Sequence, residues 1–142
     1  MSSEGLLRLE YDTEPIAVDL TEPERVLLVR GVNQWGGPAR CSEPLAVAMG
    51  FDDLGSFRHE QRRLIEALQQ NVPLSPKDWL RSLAATEITF SSSVLGSAMD
   101  WQICTGLADD QTLIVLRGLQ QKLLRRLASL RRSQSPANEG GA

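Results

Sequence analysis

Apolar residues recur at three- and four-residue intervals through most of this chain, the period of helices that bury one face. The first such run is Val26, Leu27, Val29, Val32 and Trp35. Thr21 stands before it with Glu24 three residues on, the signature of a capping box, and Pro23 sits in the first turn, where no amide partner is lost. Gly36-Gly37-Pro38 closes the run, since glycine takes the left-handed conformation after a helix and proline cannot extend one. Ser42-Glu43-Pro44 opens a second, short helix through Leu45, Ala46, Ala48 and Met49, stopped by Gly50. A cap at Asp52, Asp53 or Ser56 begins a third, reaching about Asn71, with Leu54, Phe57, Leu64, Ile65 and Leu68 on its apolar face. Ser75-Pro76 starts the fourth, with Asp78 placed to complement the helix dipole. Trp79, Leu80, Leu83, Ala84, Ile88, Phe90 and Val94 carry it to an end blurred by Ser91-Ser92-Ser93 and Gly96. Residues 96–108 read as a packed connector containing Trp101, Ile103 and Leu107, and Asp109 or Asp110 caps a last helix reaching about Arg132.

A period of two appears only near the start. Leu7, Leu9 and Tyr11 alternate with Arg8 and Glu10, and Ile16, Val18 and Leu20 repeat the pattern beyond a turn-forming Asp12-Thr13-Glu14-Pro15. Two readings are open there, a small β-hairpin or an extended acidic arm lying across helices, since isolated two-stranded hairpins are marginal. The expected architecture is all-α: a single-domain bundle of four to five helices over residues 21–132. Residues 1–20 form the arm or hairpin, and the polar, glycine-rich residues 133–142 a disordered tail.

Composition agrees with a folded domain. The chain has 142 residues, 42% hydrophobic and 23% charged, enough apolar material for a core and unlike a disordered chain, a collagen repeat or a disulfide scaffold. The net charge is −3, but its distribution says more than its total. Acids crowd residues 1–24 and bases crowd residues 111–142, so the two ends should attract each other within one molecule or between two copies. The preponderance of arginine over lysine reads as genome composition before function. Nucleic acid would meet an acidic end with the basic one and is disfavoured as a partner. No basic-then-apolar export signal opens the chain, and no apolar run approaches the length of a membrane span. Cys41 and Cys104 stand far apart with one histidine in the whole chain, which argues against a zinc cage and for a reduced, cytoplasmic protein without metal or cofactor.

The chemistry-bearing candidates are few. Phosphate-loop, nucleophile-elbow and His-Glu-x-x-His motifs are absent, and His59 lies among Arg58, Arg62 and Arg63 on a solvated helix face, so the expectation is not an enzyme. Residues 42–70 have a helix-turn-helix flavour: Ala46 and Gly50 are suitably spaced, and Arg58, Arg62 and Arg63 follow as candidate nucleic-acid contacts. Ser56 and His59 depart from that pattern, as do Asp52 and Asp53 near the would-be DNA face. Glu87 falls on an apolar stripe between Leu83 and Phe90. It is either half-buried in an ion pair with an arginine or a partner or ligand contact in a pocket lined by Trp79, Phe90 or Trp101. Trp35 and Trp101 are surface anchors for a partner or, alternatively, core closures at helix ends. Leu116, Leu123 and Leu130, with Leu113, Gln120 and Leu127, form a heptad-like stripe that suits either a dimer seam or the chain's own core.

The strings Trp35-Gly-Gly-Pro-Ala, Ala48-Met-Gly-Phe, Asp78-Trp79, Ala85-Thr-Glu-Ile-x-Phe90 and Asp100-Trp101 through Thr105-Gly-Leu resemble small helical proteins of high-GC actinobacteria. The resemblance spans about residues 20–125 and implies one helical domain in which Glu87 and the tryptophan-bearing turns are regular features. It brings no activity with it. The function expected is a non-catalytic protein–protein interaction or regulatory module, homodimeric through the C-terminal helix in one version. A DNA-binding regulator using residues 42–70 and a small-ligand domain around Glu87 are the alternatives.

Overall fold

Four of the helices begin at a capping side chain that the sequence supplies. In the computed structural model, which describes residues 14–36, 40–96 and 98–134, six α-helices pack into one all-α domain. α1 (Glu22–Asn33) starts from a complete capping box: the Glu24 amide donates to Thr21 Oγ1 at 3.2 Å, and the Thr21 amide donates to Glu24 Oε1 at 2.8 Å. Ser42 caps α2 (Glu43–Ala48), Asp53 caps α3 (Leu54–Gln69), and Ser75 caps α4 (Pro76–Ser91). Asp53 is selected over its neighbours because its carboxylate accepts from the Ser56 amide at 2.6 Å. A 3₁₀ turn at Ala98–Asp100 leads into α5 (Trp101–Thr105), and α6 (Asp109–Gln134) has 26 residues, about 39 Å at the helical rise.

Six helices exceed the expected four to five because part of the supposed connector is itself helical. Trp101 and Thr105, four residues apart, turn inward together, and Gly106 ends α5 in the left-handed conformation at φ 76°. α4, in contrast, stops at Ser91 and does not carry Val94. Ser92 is extended and the chain doubles back, laying Gly96 so flat on α4 that a Cβ there would collide with the Thr89 backbone and the Ile88 carbonyl.

α1 is the central helix, packed against α3, α4 and α6. It approaches α4 most closely at Gly31, where any side chain would overlap that of Thr86. Around this contact Leu27, Leu28 and Val32 of α1 meet Leu64 and Leu68 of α3, Ala85 of α4, and Leu116, Leu119 and Leu123 of α6 in one continuous core. Trp35 and Phe51 each stack edge to face on Phe57, at centroid distances of 6.1 and 4.8 Å.

Residues 14–20 form no helix and cross the helices, with Ile16 buried. Residues 1–13, which the hairpin would need, lie outside the described residues, as do residues 135–142 of the expected tail. Among the described residues no strand forms. Ile16 instead makes an isolated antiparallel bridge: its amide donates to the Leu74 carbonyl at 2.8 Å, and the Leu74 amide returns a bond at 3.2 Å. Trp79 Nε1 donates to the Ile16 carbonyl at 3.1 Å, while Lys122 Nζ and Arg126 Nε donate to the carbonyls of Asp19 and Ala17 at 2.7 and 3.2 Å. Residues 17–19 of the acidic end and 122–126 of the basic end therefore meet within one molecule. Among the described residues no helix is long and apolar enough to cross a membrane.

Candidate functional site

The three tryptophans belong to the interior. Trp35, Trp79 and Trp101 are at most 3% exposed, and each indole N–H has an internal acceptor: the Ala85 carbonyl at 3.0 Å, the Ile16 carbonyl at 3.1 Å and Thr112 Oγ1 at 3.1 Å. Burial and satisfaction together leave these rings nothing to offer a partner's surface, which corrects the anchor reading. Phe90 is half-buried, edge-on to Trp101 at 5.3 Å. Glu87 is half-buried as expected, but its observed partner is not an arginine. Gln120 Nε2 donates to its Oε2 at 2.5 Å, and Arg117 Nη1 donates to Gln120 Oε1 at 2.9 Å, so the arginine acts through the amide. Glu87 thus faces α6 and takes no part in walling the clefts described below.

The same bond accounts for Gln120. The polar residue in the leucine stripe is the α4–α6 link. Leu116, Leu123 and Leu127 are buried in the chain's own core, and Leu130 packs against it. These residues are not available as a seam, because α1 and α4 already occupy their face.

The three candidate arginines divide. Arg63 is bound to Glu60 and, at 2.9 Å, to Asp78, which also holds Arg81 at 3.2 Å. Burial weakens the charge on Arg63, but its bonds to Asp78 and Glu60 outweigh that and raise its pKa. Arg81 in turn donates to the Gly50 carbonyl at 2.8 Å and lies 4.5 Å above the Phe51 ring. This network clamps the α2–α3 turn onto α4, with Gly50 left-handed at φ 100°. Arg58 and Arg62 remain exposed on a polar groove of about 580 Å³ between α3 and the end of α1, shared with Gln61, Asn33 and Glu66. Cys41 and Cys104 are both free thiols; burial raises the Cys41 pKa against the opposing charge of Arg58, so the thiol is the form that persists. Among the described residues no three histidines, cysteines or acids gather as metal ligands.

What the sequence did not disclose is an outward-facing set of apolar side chains. Val94, Met99 and Ile103 are 91, 84 and 85% exposed, and Leu95, Leu113 and Ile114 are exposed as well. All six fall within residues 94–114, on the turn after α4, on the 3₁₀ turn, on α5 and on the first turns of α6. Apolar spacing alone predicts Val94 on the face of a longer helix and Ile103 inside a packed connector. The signal that separates them is a pair of stripes in one short helical stretch: Trp101 and Thr105 turn in, while Met99 and Ile103, also four apart, turn out. Trp101 joins this stretch to α6 through Thr112, so the exposed side chains sit on adjoining elements. Next to them opens an apolar cleft of about 260 Å³ between the starts of α1 and α6, walled by Val26, Leu27, Leu107 and Val115, with Glu22 and Gln111 also lining it. Comparison of the chain with protein-family models, curated proteins and solved structures finds no match.

Proposed function

We propose that this chain is a non-catalytic protein-interaction module that receives its partner on the apolar face of residues 94–114. One observation carries the reading: Met99 and Ile103 stand in water one helical turn apart, on a segment whose other side is filled by Trp101 and Thr105. Leaving such a side chain exposed forgoes about 1.5–3 kcal/mol relative to burial. Clusters of exposed apolar groups are therefore characteristic of surfaces that meet another molecule. The six exposed side chains are aliphatic or thioether groups, which suits a macromolecular surface better than a small polar substrate.

The test uses a Met99→Ser/Ile103→Ser variant, which touches no buried residue and should keep the wild-type unfolding midpoint. Wild type and variant are each immobilised and exposed, with cross-linking, to extract of the native cell. A protein held by the wild type and lost by the variant supports the reading. Identical capture by both, or capture by neither, removes it. The nucleic-acid alternative retains one supporting feature, the unpaired Arg58 and Arg62 beside a glycine-turned helix pair, and is tested separately below.

A further inference from the structure

The interaction reading leaves the partner's chemistry to be identified, and the charge around the face supplies it. From Ser82 to Leu116, 35 consecutive residues, the chain has no lysine or arginine and four acids, Glu87, Asp100, Asp109 and Asp110; Arg117, the next residue, is bonded to Gln120. The last three are exposed among the apolar side chains. Arg30 reaches the segment from α1, but its guanidinium is bound to the Thr105 carbonyl. Glu22 lines the cleft between α1 and α6 but is already paired with Arg25, so the acids free to meet a cation are those of the segment itself. An apolar centre with an acidic margin attracts cations at its rim and apolar groups at its middle. The cleft is wide enough for one large aliphatic or aromatic side chain, the form that an interface anchor takes.

We infer that the partner presents a cationic amphipathic helix, one large apolar side chain of which enters the α1–α6 cleft while its lysines or arginines face Asp100 and Asp109. This rests on the protein-interaction reading and specifies its other half. A helix fits because it aligns apolar residues along one stripe with charges on both flanks, matching an apolar strip edged by acids. A second copy of this chain fits poorly. The basic half of its α6 carries its leucine stripe inside its own core and so offers charge without an apolar edge. An anionic membrane surface would be repelled by the same acids.

The experiment titrates the full chain with two fluorescently labelled synthetic helices that share one stripe of leucine and tryptophan, one with lysine on its polar face and one with glutamate. The lysine helix should bind at least about tenfold more tightly than the glutamate helix and lose affinity as salt is raised. Gln111→Trp, which fills the cleft from an exposed position, should weaken the lysine helix by about tenfold or more, and Asp100→Asn/Asp109→Asn by about three- to tenfold. Ala108→Phe repeats the cleft test should Gln111→Trp alter the unfolding midpoint. Equal affinity for the two helices, failure to bind either, or unchanged affinity in both cleft variants would overturn the inference. The capture experiment with Met99→Ser/Ile103→Ser judges the underlying reading by itself, so loss of a native partner there with no preference for the lysine helix here would leave the module and discard the cationic helix.

Discussion

Glu24 serves two structures at once. It completes the capping box of α1 and, through Lys122 Nζ at 2.5 Å, ties that helix to α6. Burial by itself would push its carboxyl up; the hydrogen bonds from Lys122 and Thr21 and the Lys122 charge outweigh that and leave its pKa below 4.5. A carboxyl whose pKa is lower in the folded chain stabilises the fold above its unfolded pKa, and that contribution is lost as pH falls through the folded value. Glu24→Gln should therefore be less stable than wild type at neutral pH, with the difference shrinking as pH drops below 4.5, as urea unfolding across acidic pH will show. A constant difference would mean that the Lys122 tie contributes nothing through charge. The capping half of this residue's work was legible in Thr21-x-x-Glu24; the tie to a lysine 98 positions away was not, because no local pattern encodes it. Asp78 is similar: placed by sequence as a dipole-complementing residue, it proves to be the acid shared by Arg63 and Arg81.

At the scale of elements, α6 shows why a leucine repeat does not state its own partner. A seven-residue apolar spacing describes one face of a helix, and that face is filled equally well by another copy or by the rest of the domain. Here α1 and α4 fill it, with Gln120 bonded to Glu87 at the one polar position. A chain ending at Leu124 loses Leu127 from the core along with the Arg126 bond to the arm. The truncation should cost about 2–5 kcal/mol of stability, the range for deleting one buried leucine side chain. Light scattering behind size exclusion should give the same oligomeric state for both chains, read alongside their denaturation midpoints. A full-length dimer that becomes monomeric on truncation would restore the seam. α5 teaches the complementary point. Five residues are too few for periodicity to distinguish a helix from a packed connector, and it is the contact of Trp101 with Thr112 and Phe90 that holds it.

Across the whole molecule, among the described residues, the basic end meets the arm through the bonds of Lys122 and Arg126 to its carbonyls and through the pairing of Lys122 with Glu24. Arg63 is exposed but bound to Glu60 and Asp78, which leaves Arg58 and Arg62 as the candidate cations on the helix-turn-helix-like unit, with Asp52 and Asp53 also exposed at the start of α3. Double-stranded DNA should accordingly show no retardation by the full chain even at low salt, where counterion release most favours binding. Retardation that Arg58→Ala/Arg62→Ala abolishes would replace the protein-partner reading with the nucleic-acid one. The sequence by itself determined the helical class, nearly every helix start and the apolar faces, because caps, prolines and a 3.6-residue period act within a turn or two of the residues that carry them. Only the tertiary structure decided which apolar residues stay outside, which arginines are already bound, and that the leucine stripe of α6 packs inward. Those outcomes depend on which distant segments arrive to cover each face, and the one-dimensional pattern is the same whether a face is covered by its own chain, by a partner or by water.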